Sequence, residues 1–275
     1  MSKKFITLAL AGIALLSLSA CSNDDDPTDT SEYSATTLVV SVPATEGNGF
    51  IDNGTSAKLF VDHYSNKANL TLTNITFNER MPRVTFALKN LRVSPSNRHV
   101  GILMGEGITP MEGYTVNDFV GPFNFNLDVL RATCSIVSTR GNMRAIIHTP
   151  LLRSTLTEKD NDTYANTTER YYNFNFTNIA ERVDLEIYNI QFVEAMPKQK
   201  KLRIPLDKAG VVVTANGYTI TGDNIVPYFT SGTTEVPMAE RMVNNFKATL
   251  NLTASTFTVE FDCFGLHWTD SGKLL

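Results

Sequence analysis

Ala68-Asn69-Leu70-Thr71-Leu72-Thr73-Asn74-Ile75-Thr76-Phe77-Asn78-Glu79-Arg80-Met81-Pro82 and Val183-Asp184-Leu185-Glu186-Ile187-Tyr188-Asn189-Ile190-Gln191-Phe192-Val193-Glu194-Ala195-Met196-Pro197 are two versions of one segment, 115 positions apart. Asn, Ile, Phe, Glu, Met and Pro recur at matching places. Residues 68, 70 and 72 are apolar at every second position, as a half-buried strand requires. The series then resumes at 75 and 77, a step of three. The second copy repeats this, with 183, 185 and 187 followed by 190 and 192. A slip of one residue turns side chains to the opposite face unless a bulge absorbs it. Matched β-bulges beside Asn74 and Asn189 are therefore expected. Leu70, Leu72, Ile75 and Phe77 should then be buried, as should Leu185, Ile187, Ile190 and Phe192. Asparagine suits such a position because its short side chain tolerates unusual backbone angles and bonds nearby main chain.

Working outward, the duplication continues more loosely. Val84, Phe86 and Leu88 answer to Leu202, Ile204 and Leu206, and Gly113-Tyr114-Thr115-Val116 answers to Gly217-Tyr218-Thr219-Ile220. Each half ends in alternating segments: Phe123 to Val129 and Met143 to His148 in the first, Phe246 to Leu252 and Phe257 to Phe261 in the second. Gly47-Asn48-Gly49, Asp52-Asn53-Gly54 and Arg140-Gly141-Asn142 read as turns. The polar run Ser154 to Asn166 reads as a linker or long surface loop. Met238 to Asn245 is the one stretch with some helical character. The remainder reads as short, mostly antiparallel strands.

The N-terminus is an address. Lys3 and Lys4 precede an apolar run from Phe5 to Leu16, too short for a span of roughly 20 residues. Leu18-Ser19-Ala20-Cys21 resembles the bacterial lipobox, so Cys21 is expected to be lipidated and to become the new N-terminus. Several acyl chains would anchor the protein without spanning the bilayer. The acidic cluster Asp24, Asp25 and Asp26 resembles the export signal of Bacteroidetes surface lipoproteins. Its surroundings are too polar to fold.

The repeated Leu70–Phe77 and Leu185–Phe192 strands, each followed by Met-Pro, together with the Gly-Tyr and terminal strands, resemble the calycin-like β-barrel domain of Bacteroidetes surface lipoproteins. That resemblance covers roughly Thr36 to Pro150 and Tyr171 to Trp268. It implies a lipocalin-like barrel and no established enzymatic activity. The expected fold is all-β, with two tandem mostly antiparallel calycin/lipocalin-like barrels, and two β-sandwiches as the alternative. The expected organisation is a signal peptide over 1–20, a lipidated acidic tether over 21–35, a barrel over 36–153, a linker over 154–170 and a second barrel over 171–275.

The composition, 42% hydrophobic and 19% charged, excludes a disordered polymer, a collagen and a polytopic membrane protein. A formal charge of -4, from 24 Lys+Arg against 28 Asp+Glu, offers no basic face for nucleic acid. His63, His99, His148 and His267 form no HExxH or HxH pattern and stand at no zinc spacing from a cysteine. Beyond Cys21, Cys134 and Cys263 occupy unmatched repeat positions; a disulfide is permitted outside the cytoplasm, but buried free thiols are the expectation. Cys263 and His267 are four residues apart, an unremarkable spacing for a strand and its loop. The sequence contains no GxSxG, no P-loop and no GxGxxG opening a helix.

These observations point to no catalysis, no cofactor and no metal. The expected function is that of a non-enzymatic lipoprotein held in the outer membrane by its lipid and facing outward. It would bind an apolar or amphipathic small ligand, or a partner protein. The rivals are a structural or adhesion (fimbrial-type) subunit using strand addition at an open edge, and an accessory glycan binder using aromatics such as Trp268 or Tyr171-Tyr172.

Overall fold

The computed structural model describes residues 29–43, 49–160, 170–178, 182–191, 199–207, 210–231 and 233–275. Cys21, Asp24, Asp25, Asp26 and Phe192 lie outside them. The described residues form twenty strands. The first nine are β1 (Thr30–Pro43), β2 (Phe50–Asp62), β3 (Lys67–Ile75), β4 (Val84–Asn97), β5 (Val100–Gly105), β6 (Ile108–Met111), β7 (Tyr114–Asn124), β8 (Val129–Ser138) and β9 (Gly141–His148). They lie in the order β5-β4-β3-β2-β1-β9-β8-β7-β6. An additional β5–β7 ladder, from Val100↔Asn124 to Gly105↔Phe119, joins the two ends. Eight strands thereby close into an antiparallel barrel, with β6 hairpinned onto β7.

The other eleven are β10 (Leu151–Asp160), β11 (Tyr171–Asn178), β12 (Arg182–Ile190), β13 (Gln199–Asp207), β14 (Gly210–Thr214), β15 (Gly217–Gly222), β16 (Tyr228–Ser231), β17 (Thr234–Pro237), β18 (Asn244–Asn251), β19 (Thr256–Cys263) and β20 (Leu266–Leu274). Their order is β14-β15-β18-β19-β20-β10-β11-β12-β13-β16-β17. Among the described residues no ladder joins β14 to β17, so this unit is a curled half-barrel. The chain is thus all-β, as its alternating pattern implies, with one closed and one open unit.

Several local expectations change. Leu151–Asp160, expected largely as linker, is β10, paired to both β11 and β20. β1 begins at Thr30, inside the expected tether, and its Tyr33 packs on Phe125 at 5.6 Å. Asn53-Gly54 is a bulge within β2 and not a turn: the register runs from Thr37↔Thr55 to Val39↔Asp52. The Asp52 carboxylate wraps it, accepting from Gly54 N at 3.2 Å and Thr55 Oγ1 at 2.7 Å. Phe123 to Val129 is interrupted by a 3-10 turn at Phe125–Leu127, and Met238 to Asn245 contains only the 3-10 turn Ala239–Arg241.

The repeat correspondence also shifts. Leu72 pairs with Phe86 and Ile187 with Leu202, so Phe86 is the counterpart of Leu202 and Leu88 of Ile204. The sequence match was displaced by two residues, an error that a period of two conceals. Gly113-Tyr114 opens β7, third from β1 around the barrel; Gly217-Tyr218 opens β15, fourth from β10, so the two are not equivalent.

The bulge at Asn74 is present. Leu72↔Phe86 is followed by Ile75↔Val84, three residues against two. Asn74 has a φ of 65° and Asn189 one of 60°. At Asn189, however, the ladder keeps its register from Tyr188↔Lys201 to Ile190↔Gln199, so the second bulge is absent. A left-handed residue alone turns Ile190 inward there. Leu185, Ile187 and Ile190 are all buried, as are Leu70, Leu72, Ile75 and Phe77. The device recurs: Asn90, Asp118 and Asn245, with φ of 58°, 50° and 50°, each sit at a register shift. Asn and Asp occupy the left-handed region with least strain, and bulges add the coiling that a small barrel needs.

Two cores result. Leu59, Leu70, Phe86, Phe119, Phe123 and Ile147 belong to the one that fills the barrel interior. Tyr172, Phe174, Leu185, Phe246, Phe257 and Trp268 belong to the one in the half-barrel. The second core also includes Leu38, Val40 and Ile146, which sit on the barrel's β1 and β9. Alternate residues Val39 and Ile147 face the barrel interior. The barrel wall is therefore buried on both faces, and its outer side is a floor for the open sheet.

Candidate functional site

The seam between the units carries several of the buried polar groups. His148, at the end of β9, is fully buried. Its Nδ1 lies 2.6 Å from Thr149 O and its Nε2 lies 2.5 Å from Tyr218 Oη on β15. Burial lowers its pKa to about 4, so the ring is neutral. Arg131 on β8 donates to Ser255 Oγ at 2.8 Å and to Leu275 O at 3.3 Å. Deeper in the half-barrel, Arg170 pairs with Asp270 at 2.9 Å and stands 5.9 Å from the Trp268 ring. Tyr172 also donates to Asp270. These groups pin strands together, and solvent does not reach them.

The histidines and cysteines, expected to be ordinary strand, loop or buried residues, are scattered. His63 meets Ser31 Oγ at 2.9 Å, and His267 meets Asp262 at 2.7 Å. Cys263 Sγ contacts Arg241 O, not His267. Cys134 and Cys263 are free and buried, one in each core, and burial pushes both thiols up to about 12. Trp268 and Tyr172 are core residues. An apolar ligand inside the barrel would have to displace the side chains already filling it.

Accessible concavity lies elsewhere. At one barrel mouth Gly49, Phe50, Asn78, Glu79, Arg80 and Arg140 line an open depression of about 580 Å³. A second groove of about 600 Å³ runs along the half-barrel where it meets the barrel. It is lined by Arg153 and Ser154 of β10, Tyr171 and Asn173 of β11, Tyr188 and Asn189 of β12, with Leu127 and Leu275 at the rim.

Register explains this constellation. Tyr171 stands directly opposite Tyr188, and Arg153, Asn173 and Glu186 form the neighbouring row. Cross-strand partners have Cβ atoms about 5 Å apart, so the two rings share one wall. Tyr188 Oη donates to Glu186 Oε2 at 2.8 Å, and Lys201 Nζ binds Glu186 Oε1 at 3.0 Å. Burial alone would raise the Glu186 pKa, but these donors outweigh it and the carboxyl is held below its usual range. Burial and then Glu186 raise the Tyr188 phenol. The network continues through Lys201–Glu235 at 2.7 Å and Arg203–Glu235 at 2.8 Å, which fixes the wall behind the tyrosines.

The barrel supplies an internal control. Its equivalent rows, aligned by β1–β2–β3 register, are Thr36-Ser56-Thr73 and Ser34-Lys58-Thr71. The half-barrel has Thr155-Tyr171-Tyr188 and Arg153-Asn173-Glu186. The repeat folds with small hydroxyls at these positions, so the fold does not require aromatics there. The sequence singled out Tyr171 beside Tyr172. It did not single out Tyr188, which becomes a partner only through the β11–β12 register.

No family model matches the chain, and no curated protein matches it. Among solved structures, the crystal structure of the isotype 1 transferrin binding protein B from serogroup B Neisseria meningitidis is similar at 9% identity. The likeness covers 90% of this chain and 75% of that one, with a TM-score of 0.23. At that score it carries no argument, and fold and site rest on this chain's own strands. Among the described residues, no helix is long and apolar enough to cross a membrane, and no group of three or more His, Cys, Asp or Glu side chains is placed to hold a metal ion.

Proposed function

We propose that this chain is a non-enzymatic lipoprotein, anchored in the outer membrane through Cys21, displayed outward by Asp24, Asp25 and Asp26, and binding a ligand in the groove between its two units. The observation that carries the binding role is the Tyr171/Tyr188 pair on the groove wall, where the barrel copy has Ser56 and Thr73. Aromatic rings with one polar end wet are suited to recognition surfaces. The filled barrel favours the groove over an interior ligand. The leader and lipobox support the anchor.

Native mass spectrometry of protein purified from its own host tests the groove. A bound mass carried by the wild type and lost in Tyr171→Ala/Tyr188→Ala supports it; a bound mass that survives both changes places the ligand elsewhere. For the anchor, Cys21→Ala should release the protein from membranes, and unchanged retention would refute lipidation. Replacing Asp24, Asp25 and Asp26 with Ala should leave a lipidated protein shielded from protease added to intact cells. Equal cleavage would reduce those residues to a tether.

A further inference from the structure

We infer that the groove takes an acidic saccharide, with a sugar ring packed on Tyr171 and Tyr188 and its carboxylate received by Arg153; this rests on reading the groove as the recognition site.

Arg153 is the first reason. Its Nε is buried with no hydrogen-bond partner, and among the described residues Arg153 makes no ion pair. Three other arginines of the same unit make ion pairs, Arg170 with Asp270, Arg182 with Asp184 and Asp207, and Arg203 with Asp184 and Glu235, while Arg241 lies over the Phe264 ring; Arg170 Nε and Nη1 are also without a hydrogen-bond partner. The nearest acid in its cross-strand row, Glu186, is already engaged by Tyr188, Asn173 and Lys201. A guanidinium prefers a planar carboxylate that takes two parallel hydrogen bonds. Among the described residues no side-chain carboxylate is paired with Arg153, so a ligand can supply one.

The second reason is the aromatic wall. Tyr171 is 38% exposed, and Tyr188, held through its hydroxyl by Glu186, presents a ring whose orientation is fixed before any ligand arrives. A pyranose has one face of C–H groups, which covers an aromatic ring well, and a rim of hydroxyls. Asn173 and Ser154 line the same groove and give that rim polar neighbours. The volume, about 600 Å³, lies within the range of small-ligand sites. The third reason is the barrel copy. There the cation of the corresponding row, Lys58, is neutralised by Glu32 at 2.9 Å, and the row matching the two tyrosines holds Ser56 and Thr73, with the exposed Phe60 two residues from Lys58. The paired tyrosines and the arginine without an ion pair are the features that an acidic sugar uses.

The test is titration calorimetry on the full mature protein in detergent micelles. The probes are short oligogalacturonate and oligoglucuronate, their neutral counterparts and a short polyglutamate peptide. The wild type should bind at least one acidic oligosaccharide about tenfold or more tighter than its neutral counterpart, with affinity falling as salt is raised. Arg153→Gln should bring that ratio to about one, and Arg153→Lys should keep part of it because the charge remains without the fork. Tyr171→Ala should abolish binding of acidic and neutral sugars alike. Trp268 fluorescence, which reports the half-barrel core, certifies that each variant is folded. Equal affinity for acidic and neutral sugars, or a preference untouched in Arg153→Gln, overturns the inference. Polyglutamate binding as tightly as the acidic sugars overturns it in favour of an acidic peptide. Binding of none of the probes by the wild type also overturns it. A tyrosine-dependent bound mass on protein from its own host would then show that the groove reading survives and only the ligand class fails.

Discussion

The barrel and the half-barrel share one repeated segment and solve the problem of their edges differently. In the barrel, β5 follows β4 by a tight hairpin and pairs onward to β7, so every position around the ring has two neighbours. In the half-barrel the place beside β13 is taken by β16, through only Leu202↔Phe229 and Arg203↔Tyr228, and β17 lies outside it. Among the described residues the ring stays open. Leu38, Val40 and Ile146 on the barrel's outer wall complete its core. The difference teaches that the closed unit serves as support and the open unit carries the groove. It also predicts dependence in one direction: the half-barrel needs the barrel wall, whereas the barrel interior is sealed by its own residues.

The sharpest way to break this comparison is Val40→Asp. It places a charge in the half-barrel core from a barrel strand whose neighbours Val39 and Ser41 are left unchanged. An unpaired buried charge should destabilise the half-barrel by about 4 kcal/mol or more. The chain has a single tryptophan, Trp268, in that core, so its fluorescence in a denaturant titration reads the half-barrel alone. An unchanged Trp268 transition would show that the wall is not part of that core.

Acid comes next in size. His148 is buried with a pKa near 4, against 6.5 unperturbed. Above about pH 6.5 it is neutral whether folded or unfolded and contributes no slope. As pH falls from 6.5 to 4 the unfolded chain gains the proton first, so stability declines by up to about 3 kcal/mol and the loss is complete near pH 4. His148→Gln should flatten that part of the stability-against-pH curve. An identical slope in the variant would remove His148 as the seam's titrating group.

The asparagines sharpen the comparison further. Asn74 is locked on both sides: its Nδ2 donates to Gly54 O at 3.0 Å and its carbonyl accepts from Arg83 at 2.8 Å. Arg83 in turn reaches the buried Asp52 at 2.7 Å. Asn74→Ala, losing a bond and keeping a left-handed φ, should cost about 2 kcal/mol. Asn189→Ala in the regular ladder also keeps a left-handed φ and should cost about 1 kcal/mol or more. Equal midpoint shifts in urea would mean that the bulge adds nothing. Smallest of all should be Lys201→Gln behind the tyrosine wall, under about 1 kcal/mol, because that ion-pair network is partly solvated. Its effect belongs in ligand affinity more than in melting temperature.

Much of this was legible in residues read locally. Alternation announced strands, the three-residue step announced Asn74, and buried positions such as Leu185 and Ile190 followed from the same count. The doubly buried wall also leaves a trace in the sequence: Leu38-Val39-Val40 and Ala145-Ile146-Ile147 are continuous apolar runs, the mark of strands covered on both faces. The polar run after Ser154 concealed β10, because a strand with one solvated face and a polar neighbour resembles a linker. Tyr188 gave no signal, since its role depends on which residue stands across the ladder.

By itself, then, the sequence determined what depends on near neighbours: an all-β chain, a repeated segment and the left-handed asparagines. Tertiary structure alone decided which repeat closed, which face of β1 became a shared wall and which side chains met in the groove. The physical reason is range. A period of two is set by the pleat of a single strand, and is unchanged when a ladder slides by two residues or when its far edge finds no partner. Closure and the Tyr171/Tyr188 wall depend on pairing between distant segments, and that pairing exists only once the sheet has curled.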